Sequence, residues 1–272
     1  METHSLDLTF PTLPSTISKV EEFISSSQTD PAPLIEIVEQ DPSVSVNVLR
    51  RVNSAYYGVR REIESIDQAV RLLGFVEVSS IVLIQGVNEF QEHFSSHSSL
   101  LRRIAHTAIF TGRFGQKFST ALDMPHEWRR RAFLTGFVCA MSRLILLHVA
   151  PDRYETLVET SDMPLPPAEG EKDAFGASYR TLAPTAAAHW ELPERICATL
   201  REAAHPTEEA DGPKQILAVS IRTGSFLGRR DLDDEPLIPE NGLDQIHTSA
   251  LEELVTEVAR DASTYAAEVG HL

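Results

Sequence analysis

The chain has 272 residues, 42% of them hydrophobic and 24% charged, with a formal net charge of -16 at neutral pH. That suffices for one large core or two modest ones, so one to two domains that fold unaided are expected. The negative charge argues against a general nucleic-acid binder, which needs a positive face for phosphates, and two distant cysteines without CxxC spacing, Cys139 and Cys197, point to core packing rather than a disulfide framework or zinc ribbon.

Read from the N-terminus, Leu13, Ile17, Val20 and Ile24 recur at helical spacing behind Pro14 and Ser15. Pro33 opens a second short helix carrying Leu34, Ile37 and Val38. Asp41-Pro42 supplies an N-cap and a first-turn proline for a third, whose apolar face of Val44, Val48, Leu49, Val52 and Tyr56 runs to a stop at Gly58. Ser65-Ile66-Asp67-Gln68 matches a capping box, and Ile66, Val70 and Leu73 carry that helix to Gly74. The helical pattern continues from Phe75 through Ile84. A long segment from near Ser99 sets Leu101, Ile104, Ala105 and Ala108 on one side, and its Gly112 and Gly115 predict close helix contact. After a break at Met124-Pro125, Trp128, Ala132, Thr135, Gly136, Cys139, Ala140 and Arg143 trace a helix lined by small residues.

Farther on, Pro164, Pro166, Pro167 and Gly170 mark an exposed loop. Residues 174–189 and 193–204 read as two helices joined by Trp190-Glu191-Leu192-Pro193. Residues 206–213 are polar, 215–227 apolar-periodic and 231–242 an acidic loop, and 249–269 closes the chain as an amphipathic helix. With no β-hairpin signal and no internal repeat, the expected class is an all-α, multi-helix bundle. The longest apolar runs, 133–138 and 144–147, are far below the ~20 residues of a bilayer span, and METHSLDLTF lacks a basic start followed by an apolar core, so the expectation is a cytoplasmic chain without membrane contact. Charge is uneven: residues 41–131 hold 12 Lys+Arg against 9 Asp+Glu, and only four residues in the whole chain are lysine. An acidic, lysine-poor surface suits a salty cytoplasm, although genome composition produces the same bias.

The order Leu13-Pro14, Asp41-Pro42, Leu49-Arg50-Arg51-Val52-Asn53-Ser54-Ala55-Tyr56-Tyr57-Gly58, Ser65-Ile66 and Ala69-Val70-Arg71-Leu72-Leu73-Gly74 resembles the N-terminal half of an HDOD domain, the HD-related output domain of bacterial signalling proteins. The similarity continues through Ala132-Phe133-Leu134-Thr135-Gly136 and Trp190-Glu191-Leu192-Pro193 and ends near His205-Pro206. It implies an HD-like helical bundle over residues 6–206, followed by a C-terminal helical extension, 207–272, packing on it. True HD phosphohydrolases bind metal through a His, a His-Asp pair and a distal Asp, because the ions hold both an activated water and phosphoryl oxygens. This chain has no His-Asp dipeptide: Cys139-Ala140-Met141-Ser142 stands where relatives often keep His-Asp-Ile-Gly, Tyr179 occupies a place that is often His, and Ala203-Ala204 fall at a frequent His pair. Only His106 keeps its family position, and a single imidazole does not hold a catalytic metal.

Each candidate residue has a structural reading beside the functional one. Asn53 and Ser54, near a helix end, can bind a ligand or satisfy backbone groups of the next loop. Tyr56 and Tyr57 read as a core ring and a hydrogen-bonded lid ahead of a catalytic pair. His106 is a proton donor, a vestigial ligand or a buried structural histidine. Trp128-Arg129-Arg130-Arg131 can stack on and pair with a nucleotide or nucleic-acid phosphate, or form the solvated start of a helix; Arg50, Arg51, Arg60, Arg61 and Arg71 carry the same ambiguity. His126-Glu127 is not a zincin motif because position 130 is Arg, and Walker, GxGxxG and GxSxG motifs are absent. The expectation is therefore a non-catalytic signalling module without metal or cofactor, acting on a protein partner in trans. Asn53, Tyr57, His106, Arg129 and Arg130 are its candidate ligand- or partner-binding residues. The alternatives are a degenerate metal-dependent phosphohydrolase drawing on His106, Cys139, Tyr179 and His205, or a nucleotide-binding sensor.

Overall fold

The computed structural model describes residues 30–54, 57–88, 94–162, 165–192, 194–204 and 256–258. The helix expected around Leu13 to Ile24, Tyr56, His205, the 215–227 segment and most of the closing helix lie outside them. Among the described residues are eleven α-helices and no strand, the all-α class expected. The chain divides into two compact units, one within Thr12–His93 and one from Phe94 onward.

In the N-terminal unit, α1 (Ala32–Glu39) buries Leu34 and Val38. Helix α2 (Pro42–Val52) starts on Asp41, whose carboxylate accepts the amides of Ser43 at 2.9 Å and Val44 at 3.2 Å and the Ser43 hydroxyl at 2.7 Å. Burial pushes this carboxyl up, but the hydrogen bonds from Ser43 and Val44 outweigh it and hold the pKa below its ordinary value. The helix ends at Val52, well short of the expected stop at Gly58. Asn53 causes the early end: its side-chain amide donates to the carbonyls of Leu49 at 2.9 Å and Ile63 at 2.8 Å, and its carbonyl accepts the Ile63 amide at 2.8 Å. A side chain that clasps a strand of loop in this way substitutes for the helical bonds the backbone gives up. Helix α3 (Ile66–Leu73) begins where Ser65 accepts the Gln68 amide and ends at Gly74, whose φ of +77° lets α4 (Phe75–Asn88) start at once. Arg51 reaches from α2 to Glu77 of α4 at 2.7 Å, both buried, with the guanidinium 5.5 Å from the Tyr57 ring centroid.

The second unit opens with a 3-10 turn (Ser95–His97) and continues as α5 (Ser98–Ala121), α6 (His126–Met141), α7 (Arg143–Val149), α8 (Pro151–Glu159), α9 (Ala168–Phe175), α10 (Tyr179–His189) and α11 (Glu194–Ala204). Helices α5 and α6 are antiparallel across a short turn and cross at the predicted glycine. A Cβ on Gly112 would stand 2.8 Å from the Phe133 carbonyl oxygen, and one on Gly136 would stand 2.8 Å from that of Thr111. Backbone therefore meets backbone at this crossing. On another face of α5, Phe110, Phe114 and Phe118 stack ring on ring, with centroids 6.1 and 5.7 Å apart. Helix α10 packs against α6 and α11, and Cys139 and Cys197 are both free and buried.

Three further expectations are corrected. The single helix expected over 174–189 is two, because Gly176, at φ +76°, ends α9 and a capping box of Ser178 and Thr181 restarts the chain as α10. The expected exposed loop around Pro166 instead buries Leu165 and Pro166, and Gly170 lies within α9. The helix through Arg143 breaks at Ser142, whose hydroxyl donates back to the Val138 carbonyl at 2.9 Å. Joined through Cys139-Ala140-Met141-Ser142-Arg143, the two short apolar runs make Arg131–Val149 long and apolar enough, by length and composition, to cross a bilayer; 83% of it is buried within the protein, as a core segment would be.

Candidate functional site

The α6–α7 break sets a charged residue into an apolar interior. Arg143 is the one Lys, Arg, Asp or Glu between 132 and 149, and it is 1% exposed beside the fully buried Leu144 to Leu147. A guanidinium so placed must be paired and hydrogen-bonded. Its Nε donates to Glu171 Oε1 of α9 at 3.0 Å and a second nitrogen donates to the Pro166 carbonyl at 3.3 Å. Glu171, 0% exposed, is held by two further donors, the Tyr154 hydroxyl from α8 at 3.0 Å and the Tyr179 backbone amide at the start of α10 at 2.7 Å. The Arg143 guanidinium carbon lies 3.5 Å from the centroid of the Tyr179 ring, and the Tyr179 hydroxyl accepts Arg180 Nε at 3.1 Å. One ion pair thus joins four helices, α7 to α10.

Burial pushes the Glu171 carboxyl above its ordinary value, against the pull of Arg143, the Tyr179 amide and Tyr154. Burial opposes the Arg143 charge, yet the neighbouring Glu171, Tyr179 and Tyr154 leave its pKa raised. Cys139 lies in the same electrostatic neighbourhood; burial pushes its thiol up to about 12, although Arg143 and Arg180 draw it down.

This is the place where the resemblance puts a metal, and the residues present do not fit one. The residue standing for the first histidine of the pair is a thiol that keeps its proton at neutral pH, and the next is Ala140. Tyr179 turns its ring to a guanidinium, and both Glu171 oxygens already accept hydrogen bonds. A cation entering here would meet Arg143 at close range in a low dielectric. Among the described residues, no group of three or more His, Cys, Asp or Glu stands ready for a metal ion.

The candidate residues from the sequence fall in both compact units, each set within its own. Asn53 commits its amide to Leu49 and Ile63, and Tyr57 stands beside Arg51, both at the end of α2. His106 is half-buried on α5 rather than fully buried, and the antiparallel register carries it toward the C-terminal end of α6. Arg129 sits at the opposite end of α6, where its Nε donates to the Met124 carbonyl at 2.6 Å and it pairs with Asp123 at 3.3 Å, tying down the α5–α6 turn. The Arg130 side chain is outside the described residues. Arg131 lies on the Trp128 ring, 4.3 Å from its centroid. Sequence reading missed Arg143, Tyr154 and Glu171 as a unit. A lone charge inside an otherwise apolar helical stretch was the available signal for Arg143; Glu171, one of several acids in Ala-Glu-Gly-Glu-Lys-Asp-Ala-Phe, carried none.

A family model for the HDOD domain matches residues 10–206. A protein of Treponema pallidum (strain Nichols), named only as uncharacterized, is 20% identical over 192 residues, which are 70% of this chain and 37% of that protein. Among solved structures, a "Putative signal transduction protein" from Marinobacter aquaeolei VT8 is similar at a TM-score of 0.68 and 20% identity, over 97% of this chain and 60% of that one. An HDOD domain protein of unknown function from Geobacter sulfurreducens matches at 0.63 and 14% identity, over 96% and 91%. A "Putative phosphohydrolase" from Shewanella amazonensis SB2B matches at 0.57 and 18%, over 96% and 94%. The chain spans less than two thirds of the Treponema and Marinobacter proteins, 37% and 60%, and at these identities the likeness is one of fold.

Proposed function

The chain belongs to the HDOD domain family, and on that premise we propose that it is a non-catalytic signal-transduction module of the bacterial cytoplasm, working through contact with a protein partner supplied in trans. The observation that carries this reading is the chemistry of the Cys139, Arg143, Glu171 and Tyr179 cluster. A buried, internally satisfied ion pair holds together the helices that a phosphohydrolase would arrange around its metal, and it offers a cation no deprotonated ligand beyond the Glu171 carboxylate already spent on Arg143. What remains is a scaffold able to present surfaces. Two structurally similar proteins are titled "Putative signal transduction protein" and "Putative phosphohydrolase", and the chemistry of the cluster favours the first direction for this chain.

The test offers chelator-free protein manganese, iron, nickel and zinc, measures metal by elemental analysis, and assays a panel of nucleotides for hydrolysis. Expected are sub-stoichiometric metal and no turnover above blank. Stoichiometric metal with turnover that disappears in His106→Ala overturns the proposal in favour of a degenerate phosphohydrolase. Crosslinking of tagged chain in cells should trap a reproducible signalling partner, and a chain that remains partner-free weighs against the relay.

A further inference from the structure

Helix α5 keeps its titratable side chains on one side. Its 24 residues include no Asp or Glu, in a chain that holds 40, and its basic residues are Arg102, Arg103, His106, Arg113 and Lys117. At about 100° per residue these five fall within an arc of about 100°, centred about 130° round the helix from Gly112, where α6 packs. The two halves of the arc differ. Toward the C-terminus Arg113 is 5% exposed, and Lys117 already meets a carboxylate, that of Glu257, at 2.5 Å. Toward the N-terminus Ser99 and Arg102 are exposed and Arg103 and His106 half-buried, and among the described residues neither guanidinium has a carboxylate partner.

We propose that the N-terminal half of α5 is a docking surface for an acidic peptide segment of the partner protein, held by Arg102 and Arg103 with His106 one turn farther on. The strip from Ser99 to His106 is about 10 Å long, two turns of helix, and its two guanidiniums offer planar forks that match carboxylates. On a chain of net charge -16 an acidic partner is repelled by most of the surface, so an unpaired cationic strip fixes where it lands. A nucleic acid, which gains affinity from many phosphates at once, finds too few cations here. This rests on the relay reading and gives its partner a chemistry. Sequence reading singled out His106 on this face and passed over the two arginines beside it.

The test titrates the intact chain into a fluorescein-labelled, alanine-rich helical peptide with Glu at every fourth position, and into its Gln and Lys counterparts, and reads fluorescence anisotropy. Only the Glu peptide is expected to bind, and added salt should weaken it. Arg102→Ala and Arg103→Ala should each weaken binding about two- to five-fold, the range of an exposed ion pair. Arg102→Glu/Arg103→Glu should abolish it and gain the Lys peptide instead, while Arg60→Glu/Arg195→Glu, an equal change of charge at two other exposed arginines, should leave it intact. Circular dichroism checks the fold of each, and the alanine variants decide the matter should the double reversal not fold. Equal binding of the Glu and Gln peptides, or equal loss in both double variants, would overturn the proposal. So would displacement of the peptide by inorganic phosphate beyond that by chloride at equal ionic strength, which marks a small-anion site, or a dimer that Arg102→Glu/Arg103→Glu dissolves, which makes a second copy the occupant. In cells, a partner trapped equally by wild type and by Arg102→Glu/Arg103→Glu overturns the surface and leaves the relay standing, whereas peptide binding with no partner trapped counts against the relay.

Discussion

Replacing Glu171 by Leu removes one half of the ion pair that joins α7 to α10. Arg143 would stay behind at 1% exposure with its charge unpaired, keeping only the Pro166 carbonyl and the Tyr179 ring, and the Tyr154 hydroxyl and Tyr179 amide would lose their acceptor. Breaking a buried pair from one side costs about 3–5 kcal/mol, a large part of the 5–15 kcal/mol or so that holds a typical domain folded. The double variant Arg143→Met/Glu171→Leu removes both charges and should regain about 2 kcal/mol or more of that loss, since the cost arises from the stranded charge. Both tryptophans, Trp128 and Trp190, lie in the same compact unit as the pair, so urea unfolding followed by tryptophan fluorescence reports on that unit alone, with stability extrapolated at constant m. A single-variant loss below about 1 kcal/mol, or a double variant whose loss equals the sum of the singles, would refute the account of Arg143 and Glu171 as a mutually dependent pair.

Cys139 supplies a pH signature. Its folded pKa of about 12 lies above the unfolded thiol's ordinary value of about 8.5, so the folded state holds its proton while the unfolded state sheds it, and stability falls as pH rises through that window. Wild type should lose about 1.4 kcal/mol per pH unit between pH 9 and 11 that Cys139→Ser does not lose, read from urea midpoints; parallel curves would contradict the burial of the thiol. Asn53→Ala should cost about 1–3 kcal/mol by stranding the Ile63 amide and carbonyl, the Leu49 carbonyl keeping the backbone amide of residue 53, and hydrogen exchange at Ile63 should accelerate accordingly. Gly136→Ala drives a methyl to 2.8 Å from the Thr111 carbonyl and should cost about 1–3 kcal/mol or more. Gly58→Ala, whose Cβ meets nothing within 4 Å but whose φ is +54°, should cost closer to 1 kcal/mol; thermal melts order the two, and equal losses would refute the distinction.

The parts of this fold readable in advance are those decided within one turn of helix. Asp41 and Ser65 announce helix starts because a cap acts on amides two and three residues away, and Gly112 announces a close crossing because no other residue leaves a backbone bare. The end of α2 was misplaced because Asn53 stops it through Ile63, ten positions on and across a loop, while Gly58 offered a more familiar local stop. The division of α9 from α10 had a local signal in Gly176 and Ser178 that the apolar pattern around it outweighed. The Arg143–Glu171 pair spans 28 positions, and no periodicity links residues separated by α8 and the loop that follows it. What could be read at that site was the loss of the His-Asp dipeptide; what replaced it is a product of tertiary packing.

The crossing of α5 and α6 has a consequence for how the chain can drift in sequence. Most tight contacts between helices place one side chain against another, so that a methyl gained on one side can be matched by a methyl lost on the other. At Gly112 and Gly136 the first obstacle to a new Cβ is a carbonyl oxygen of the partner's main chain, which every amino acid carries. No second-site exchange clears that space. Lineages that keep this geometry therefore keep both glycines, and neighbouring helices must accommodate change around a joint whose two halves cannot compensate for each other.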